Sequence, residues 1–481
     1  MTISLNREST DRESTLEPPA GSDCSFASPD YGQVPPDSSL LIVSRASWPL
    51  EESQSPATGW CGVVAICLCA YLLVGLNDCQ AEPVRAIWPY RFALLIFLVF
   101  SVMALCETLL FKVHRRNFDF ASARVLDSEA RKRVGERFLG FMCCLLCATA
   151  FTLAWQQFFP DFISIYWICM PPLILGSVPY FFMVEKYARE DGPVDEMLVT
   201  GRCTKLFLSR LGKGGSFSEL MSCFNNPYVE NLARGILIKC IFIPFMVKCY
   251  GDWWNNWEHD CLAAGELLKT TTTLYSMDAG RLVRSLQLPG IDLLYAIDLT
   301  VALIGYIVSL RFFDTQFTSS EPTRLGWFSA LVCYMPFGMP FLDLWVWQKI
   351  CTPWPEQMYL QCPVWAIIVS FLIIFFDAIY TWATFAFGMR FSNLSNRGII
   401  ASGPYRIVRH PAYLGKNIVF WLGVIPALTL DWAGLQTVLG VLIVNGIYIL
   451  RALTEERHLM REPHYQQYCQ IVRWRLIPGV F

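Results

Sequence analysis

The residues best suited to chemistry lie in a short polar stretch near the C-terminus, GIIASGPYRIVRHPAYLGKN at residues 398–417. Pro411 fixes its own φ angle and biases His410 away from the helical region, so His410 is predicted to lie in an extended segment. Arg409 carries a planar guanidinium that suits a carboxylate or a phosphate. Gly415 lets the backbone approach a ligand or a neighbouring helix closely. This stretch is therefore a candidate binding loop.

A second polar element, TEERHLMREPHYQQYCQIVRWRLIPGVF at residues 454–481, follows the last apolar segment. It begins with two adjacent acids, Glu455 and Glu456. On a helix their side chains point about 100° apart, because an α-helix has 3.6 residues per turn. One of them can therefore pair with Arg409 while the other faces a ligand.

These polar elements must be positioned by a strongly apolar chain. The 481 residues are 54% hydrophobic and 16% charged, whereas soluble proteins carry about 25% charged residues. The formal net charge of -2 lacks the basic excess of a nucleic-acid binder. The composition predicts an all-α, polytopic integral membrane protein whose partner is the lipid bilayer and not a nucleic acid.

Apolar segments of spanning length, about 20 residues, recur along most of the chain. We predict spans at residues 58–77, 88–111, 137–156, 162–184, 232–250, 291–311, 326–346 and 363–388. Two further apolar stretches, 417–429 and 433–452, are predicted to form a tight and partly re-entrant helical hairpin. This gives about ten transmembrane helices in all.

The chain is predicted to have three parts. Residues 1–57 are polar and rich in Ser and Pro, which is typical of a flexible segment. Residues 58–362 form an N-terminal transmembrane region of unknown role, and residues 363–481 form a C-terminal membrane domain that holds the two polar elements.

The basic residues orient the predicted spans. Lys and Arg cluster after the second, fourth and eighth spans and in the C-terminal tail, whereas loops 78–87, 157–161 and 347–362 nearly lack them. Since cytoplasmic loops carry the positive charge, both termini and the candidate binding loop are predicted to be cytoplasmic.

Other residues offer weaker indications. The 19 cysteines lie mostly in apolar runs and show no zinc-binding spacing, so no metal site is predicted. Cys351 and Cys362 flank one loop and can form a disulfide if that loop faces an oxidising compartment. Asp298 and Asp377 lie inside apolar spans, where acids are candidates for lining a substrate cavity or bonding across helices.

A family resemblance rests on three separated parts of the C-terminal region. RHPAYLG at 409–415, Glu-Glu at 455–456 and the tail ending in RWRLIPGVF resemble the isoprenylcysteine carboxyl methyltransferase and phospholipid methyltransferase superfamily. In that superfamily the motif RHPxYxG is followed by a helical hairpin and then by Glu-Glu. The resemblance covers residues 363–481 and says nothing about the first eight spans.

The resemblance implies S-adenosylmethionine as methyl donor and a lipid, prenylated or other hydrophobic molecule as acceptor. It implies that the cofactor contacts Arg409, His410, Pro411, Tyr413, Gly415, Glu455 and Glu456. His410 and Glu456 are the candidate catalytic residues if the acceptor needs a base. The residue types also suit the cofactor on chemical grounds, since basic, acidic and aromatic side chains match its carboxylate, its ammonium or ribose, and its adenine or sulfonium.

Two alternatives stay open. An NADPH-dependent membrane reductase of the sterol C14/C7 type has a similar C-terminal region with an HPxY loop, but an acidic pair of Asp-Glu type is expected there rather than Glu455–Glu456. A transporter or scaffold that no longer catalyses would account for the additional spans.

Overall fold

The structure is a computed structural model that describes residues 56–76, 90–190, 192–270, 279–334, 337–338, 362–425, 428 and 431–480. Apart from Pro56 and Ala57, the predicted flexible segment 1–57 lies outside these ranges. Cys351 also lies outside them, so the disulfide with Cys362 stays a prediction, as does the flexibility of the N-terminal segment.

The described residues are mostly helical and contain almost no sheet, which confirms the predicted all-α class. The α-helices are α1 (Pro56–Leu76), α2 (Arg91–Leu105), α3 (His114–Asn117), α4 (Ser128–Trp155), α5 (Pro160–Tyr187), α6 (Glu196–Leu211), α7 (Phe217–Ser222), α8 (Pro227–Thr270), α9 (Ala279–Ile307), α10 (Arg324–Leu331), α11 (Pro363–Phe385), α12 (Pro411–Val424), α13 (Trp432–Leu459) and α14 (Pro463–Ile471). A π-helical turn, Cys106–Leu110, extends α2. Two short strands, β1 (Ser319–Ser320) and β2 (Ser395–Asn396), pair antiparallel.

Seven helical segments in the described ranges are long and apolar enough to cross a membrane. They are Ala57–Leu76, Arg91–Leu110, Ser128–Trp155, Phe162–Tyr187, Ser285–Ile307, Pro363–Phe385 and Trp432–Leu459. This confirms a polytopic membrane protein. Each of the seven overlaps a span predicted from the sequence.

Two other predicted spans, 232–250 and 326–346, are not among these seven segments. The apolar stretch 232–250 lies within α8, a helix of 44 residues that is not one of the seven segments. Charged side chains, among them Lys239 and Lys248, interrupt its apolar character. The predicted span 326–346 begins in α10, which ends at Leu331, and residues 339–361 lie outside the described ranges.

The C-terminal hairpin begins earlier than expected. Its first helix, α12, starts at Pro411 rather than at residue 417, because proline is favoured at the first helical position. At 14 residues it is shorter than the roughly 20 needed for a full crossing. The second helix, α13, starts after Asp431, whose side chain accepts a hydrogen bond from the Gly434 backbone N–H at 2.9 Å. The hairpin therefore sets the candidate loop directly at the N-terminus of a helix.

Helix packing crosses the predicted domain boundary at residue 363. Helix α9 packs against both α8 and α11. The largest apolar cluster contains Ala296 and Ile304 of α9 together with Phe385 and Met389 of the C-terminal region. The two regions thus share one buried core.

Arg397 joins the two regions through hydrogen bonds. Its guanidinium donates to the backbone carbonyls of Gly305, Val308 and Thr315 and, at 3.1 Å, to that of Phe391. Gly305 and Val308 lie at the C-terminal end of α9, where carbonyls lack helical partners and where a cation is favoured. Burial lowers the pKa of Arg397 to about 9, so the side chain stays charged at neutral pH.

We expect Arg397→Gln to lower the free energy of unfolding by about 3 kcal/mol, because it leaves buried carbonyls without donors. Chemical denaturation in detergent micelles measures this change. Arg406→Gln, at an exposed position in the same segment, is the control and should leave the midpoint nearly unchanged. Equal midpoints for the two variants would contradict the joining role of Arg397.

Candidate functional site

A cavity opens between the end of α11, the segment 387–413, α13 and α14. The volume in it that is open to the centres of water-sized molecules is about 110 Å³. Of the predicted site residues, four contribute to its wall: Arg409, His410, Tyr413 and Glu455.

Glu456 is the centre of a buried ion cluster that also contains Arg409, His410 and Arg475. Arg409 Nη1 donates to both Glu456 oxygens at 3.2 Å. Arg475 Nε donates to Oε2 at 2.8 Å, and His410 Nε2 lies 3.3 Å from Oε1. The Glu456 side chain is only 6% exposed. We call this the Glu456 cluster; it joins the loop, the last spanning helix and the tail.

The tail also holds the loop through its backbone. The Arg409 and His410 N–H groups donate to the carbonyls of Trp474 and Arg475, both at 2.9 Å. The Arg409 guanidinium donates to the carbonyls of Val472 at 2.8 Å and Arg473 at 2.9 Å. From the sequence, the tail was recognisable only as part of a motif. In the structure it fixes the conformation of the loop.

The two adjacent acids separate as their helical spacing predicts. Glu455 is 44% exposed and lies on the cavity wall. Its Oε2 accepts a hydrogen bond from the Tyr413 hydroxyl at 2.6 Å and lies 3.9 Å from His410 Nδ1. Glu456 instead has both oxygens engaged and does not line the cavity. The geometry therefore favours a positioning role for Glu456, and its role as a base stays a prediction.

The remaining predicted residues shape the loop. The rings of His410 and Tyr413 stack at 5.3 Å with an interplanar angle of 5°. Pro411 occupies the first turn of α12. A Cβ added to Gly415 would lie 2.7 Å from the Phe376 carbonyl oxygen. Gly415 is therefore explained by the close packing of α12 on α11, and neither it nor Pro411 lines the cavity.

Arg451 is a site residue that the sequence indicated only as one of the clustered basic residues near the C-terminus. It is 6% exposed and lines the cavity. Its guanidinium donates to Asn393 Oδ1 at 2.6 Å and Tyr334 Oη at 3.2 Å, and it lies 5.2 Å from the centre of the Tyr413 ring. Arg451 lies one helical turn before Glu455, and this spacing in the sequence indicates that both side chains lie on the same face of α13.

Arg451 carries a charge that the described protein residues do not neutralise. Its partners, Asn393 and Tyr334, are neutral, and no carboxylate in the described ranges forms an ion pair with it. Buried charges are normally paired, because burial without a partner is costly. The cavity is therefore suited to a ligand with an anionic group.

Aromatic side chains form much of the remaining wall. Tyr405, Tyr465 and Tyr468 lie on it, and the Tyr468 hydroxyl donates to the Tyr405 carbonyl at 2.7 Å. Burial raises the pKa of Tyr405 and of Tyr468, so both phenols stay protonated at neutral pH. Within the described residues, no group of three His, Cys, Asp or Glu side chains has the arrangement of a metal site.

We expect Glu456→Gln to destabilise the protein by about 3 kcal/mol, because it leaves buried cations without their carboxylate. Glu455→Gln is the matched variant, and at its more exposed position the change should stay within about 1 kcal/mol. Chemical denaturation in detergent measures both. A larger loss for Glu455→Gln would show that the cluster is not centred on Glu456.

The C-terminal region that contains most of this site matches a known protein family. Residues 364–461 match the Isoprenylcysteine carboxyl methyltransferase (ICMT) family, whereas no curated protein and no solved structure matches the chain. The matched range contains RHPAYLG and both acids but ends before the tail residues 472–475. The predicted resemblance is therefore confirmed: residues 364–461 of this polytopic membrane protein have the sequence of an isoprenylcysteine carboxyl methyltransferase family domain.

Proposed function

We propose that this chain is an integral membrane methyltransferase that uses S-adenosylmethionine and acts on a hydrophobic acceptor. The observation that carries the proposal is the presence of both Arg451 and Glu455 on one cavity wall. A buried cation without a carboxylate partner lies one helical turn from a half-exposed acid. These two charges face a cavity within the region that matches the methyltransferase family.

The residues on the wall fit the chemical groups of the methyl donor. Arg451 suits its carboxylate, and Glu455 suits its ammonium or its ribose hydroxyls. The tyrosine rings suit adenine or a sulfonium cation. When bound, S-adenosylmethionine would supply a methyl group activated by its positively charged sulfur.

Arg409 and His410 have a different part in this proposal from the one their motif implies. Arg409 donates to Glu456 and to two tail carbonyls. His410 has one ring nitrogen at Glu456 and the other facing Glu455. We infer that both residues position the wall, and that Glu456 positions both of them. Catalysis then rests on orientation and on the exclusion of water.

The surroundings of the site support a hydrophobic acceptor. The elements around it expose apolar side chains, including Ile407 in the loop and Trp474 and Ile477 in the tail. Helix α11 also exposes Trp365 and Phe371. Such faces suit contact with lipid, and an acceptor dissolved in the bilayer could enter from there. The basic loops favour a site on the cytoplasmic side.

S-adenosylhomocysteine, the product of methyl donation, should raise the melting temperature of the purified protein. At about 100 times its Kd, a ligand stabilises the folded state by about 2.7 kcal/mol. Arg451→Gln and Glu455→Gln should reduce the shift, and Arg406→Gln should retain it. A shift with NADPH and none with S-adenosylhomocysteine would instead support the reductase alternative.

Membranes that contain the protein should transfer a radiolabelled methyl group from S-adenosylmethionine to a product extractable into organic solvent. Glu455→Gln should lower the rate by about 10-fold or more, since a charge-assisted contact to the donor is lost. Scintillation counting of the organic phase measures this. Label found only in water-soluble products would contradict the hydrophobic acceptor, and no label at all would favour the transporter or scaffold alternative.

A further inference from the structure

A buried tyrosine–aspartate pair lies at the cavity, where α11 packs against the helix that begins in the methyltransferase motif. The Tyr380 hydroxyl of α11 donates to Asp298 Oδ2 of α9 at 2.6 Å. Tyr380 is 9% exposed and Asp298 only 4%. Tyr380 lines the cavity, whereas Asp298 lies behind it. The acid is thus connected to the cavity through the Tyr380 phenol, and Thr384 on the cavity wall also interacts with it.

A cation lies next to this pair. The Lys416 ammonium of α12 lies 4.2 Å from the centre of the Tyr380 ring and also lines the cavity. Lys416 interacts electrostatically with Asp298, and its positive charge offsets part of the cost of an ionised carboxylate at this buried position. Because Tyr380 donates its own proton to Asp298, the lone pairs of its oxygen are available to accept another proton.

The other titratable groups of the site are less suited to accept a proton. Glu456 is fully engaged within its cluster, and both ring nitrogens of His410 face carboxylates. Glu455 already accepts a hydrogen bond from the Tyr413 hydroxyl. Tyr380 is therefore the best candidate for the group that takes the proton of a methyl acceptor in the cavity.

We propose that Tyr380 and Asp298 form a proton relay that activates an acceptor bearing a hydroxyl or an N–H group. This inference rests on the proposed function and adds the class of acceptor. A carboxylate or thiolate acceptor would need no base, whereas a hydroxyl or an amine must lose a proton during methylation.

The relay accounts for every bond and proton. The acceptor oxygen or nitrogen forms a bond to the methyl carbon, and the bond from that carbon to the positively charged sulfur of the donor breaks, leaving its electron pair on sulfur. The acceptor proton moves to the Tyr380 oxygen. The original Tyr380 proton moves to Asp298, which becomes neutral.

A second pair on the same two helices provides a matched control. The Tyr295 hydroxyl of α9 donates to Asp377 Oδ1 of α11 at 3.3 Å, but neither residue is among those lining the cavity. Asp377, Tyr295, Tyr334, Lys416 and Tyr405 are the titratable groups that interact with the relay. Substitutions in the control pair change similar buried chemistry without reaching the cavity.

The test uses the full chain in lipid nanodiscs and a long-chain alkyl nitrophenol, whose ionised form absorbs visible light. Without any methyl donor, binding to the wild type should increase the ionised fraction of the probe. Tyr380→Phe and Asp298→Asn should each reduce that gain at least about 10-fold. Tyr295→Phe and Asp377→Asn should retain it. With S-adenosylmethionine added, methylation of the probe should fall about 100-fold in the two relay variants.

The outcomes separate the relay from the proposed function. Stabilisation by S-adenosylhomocysteine reports donor binding. It should persist in Tyr380→Phe, because this variant keeps the aromatic ring. If Asp298→Asn does not fold, Tyr380→Phe alone tests the relay. Donor binding with unchanged probe ionisation in Tyr380→Phe would overturn the relay and leave the methyltransferase proposal standing. Relay-dependent ionisation without donor binding would support the relay and contradict the proposed function.

Discussion

The candidate site depends on one buried carboxylate. Glu456 is bound by Arg409, His410 and Arg475, which come from a loop and a tail that have little regular structure of their own. A buried carboxylate of this kind must be paired, and its cations must likewise find it. The loop, α13 and the tail therefore constrain one another. With Glu456 held inward, helical geometry turns Glu455 toward the cavity.

The N-terminal region contributes to the site as well as to the membrane-spanning part. Arg397 connects the C-terminal domain to the end of α9, and β1 pairs with β2 beside the cavity. Tyr334 follows α10 and contacts Arg451, and Asp298 of α9 contacts Tyr380. Residues outside the matched range therefore supply part of the cavity wall. They also supply Asp298, the hydrogen-bond partner of the wall residue Tyr380.

The sequence was most informative where residue type alone dictates geometry. Adjacent acids on a helix must diverge, which predicted the separate positions of Glu455 and Glu456. A proline after His410 predicted the break that starts α12. Arg451 was missed because a basic residue near the end of an apolar helix also fits the positive-inside pattern. The contacts between the tail and the loop were missed, because they are made largely by backbone carbonyls. Such contacts leave no side-chain pattern in the sequence.

In the proposed function, Arg451 links the stability of the protein to ligand binding. Its charge lies in a low-dielectric wall, where the amide of Asn393, the hydroxyl of Tyr334 and the ring of Tyr413 solvate it only in part. An anionic ligand group would complete this solvation while losing its own hydration. Because the protein groups are already held in place by α13 and by the segment around Asn393, little ordering is needed on binding. In the proposed function the site is thereby selective for ligands that carry a negative group at that point.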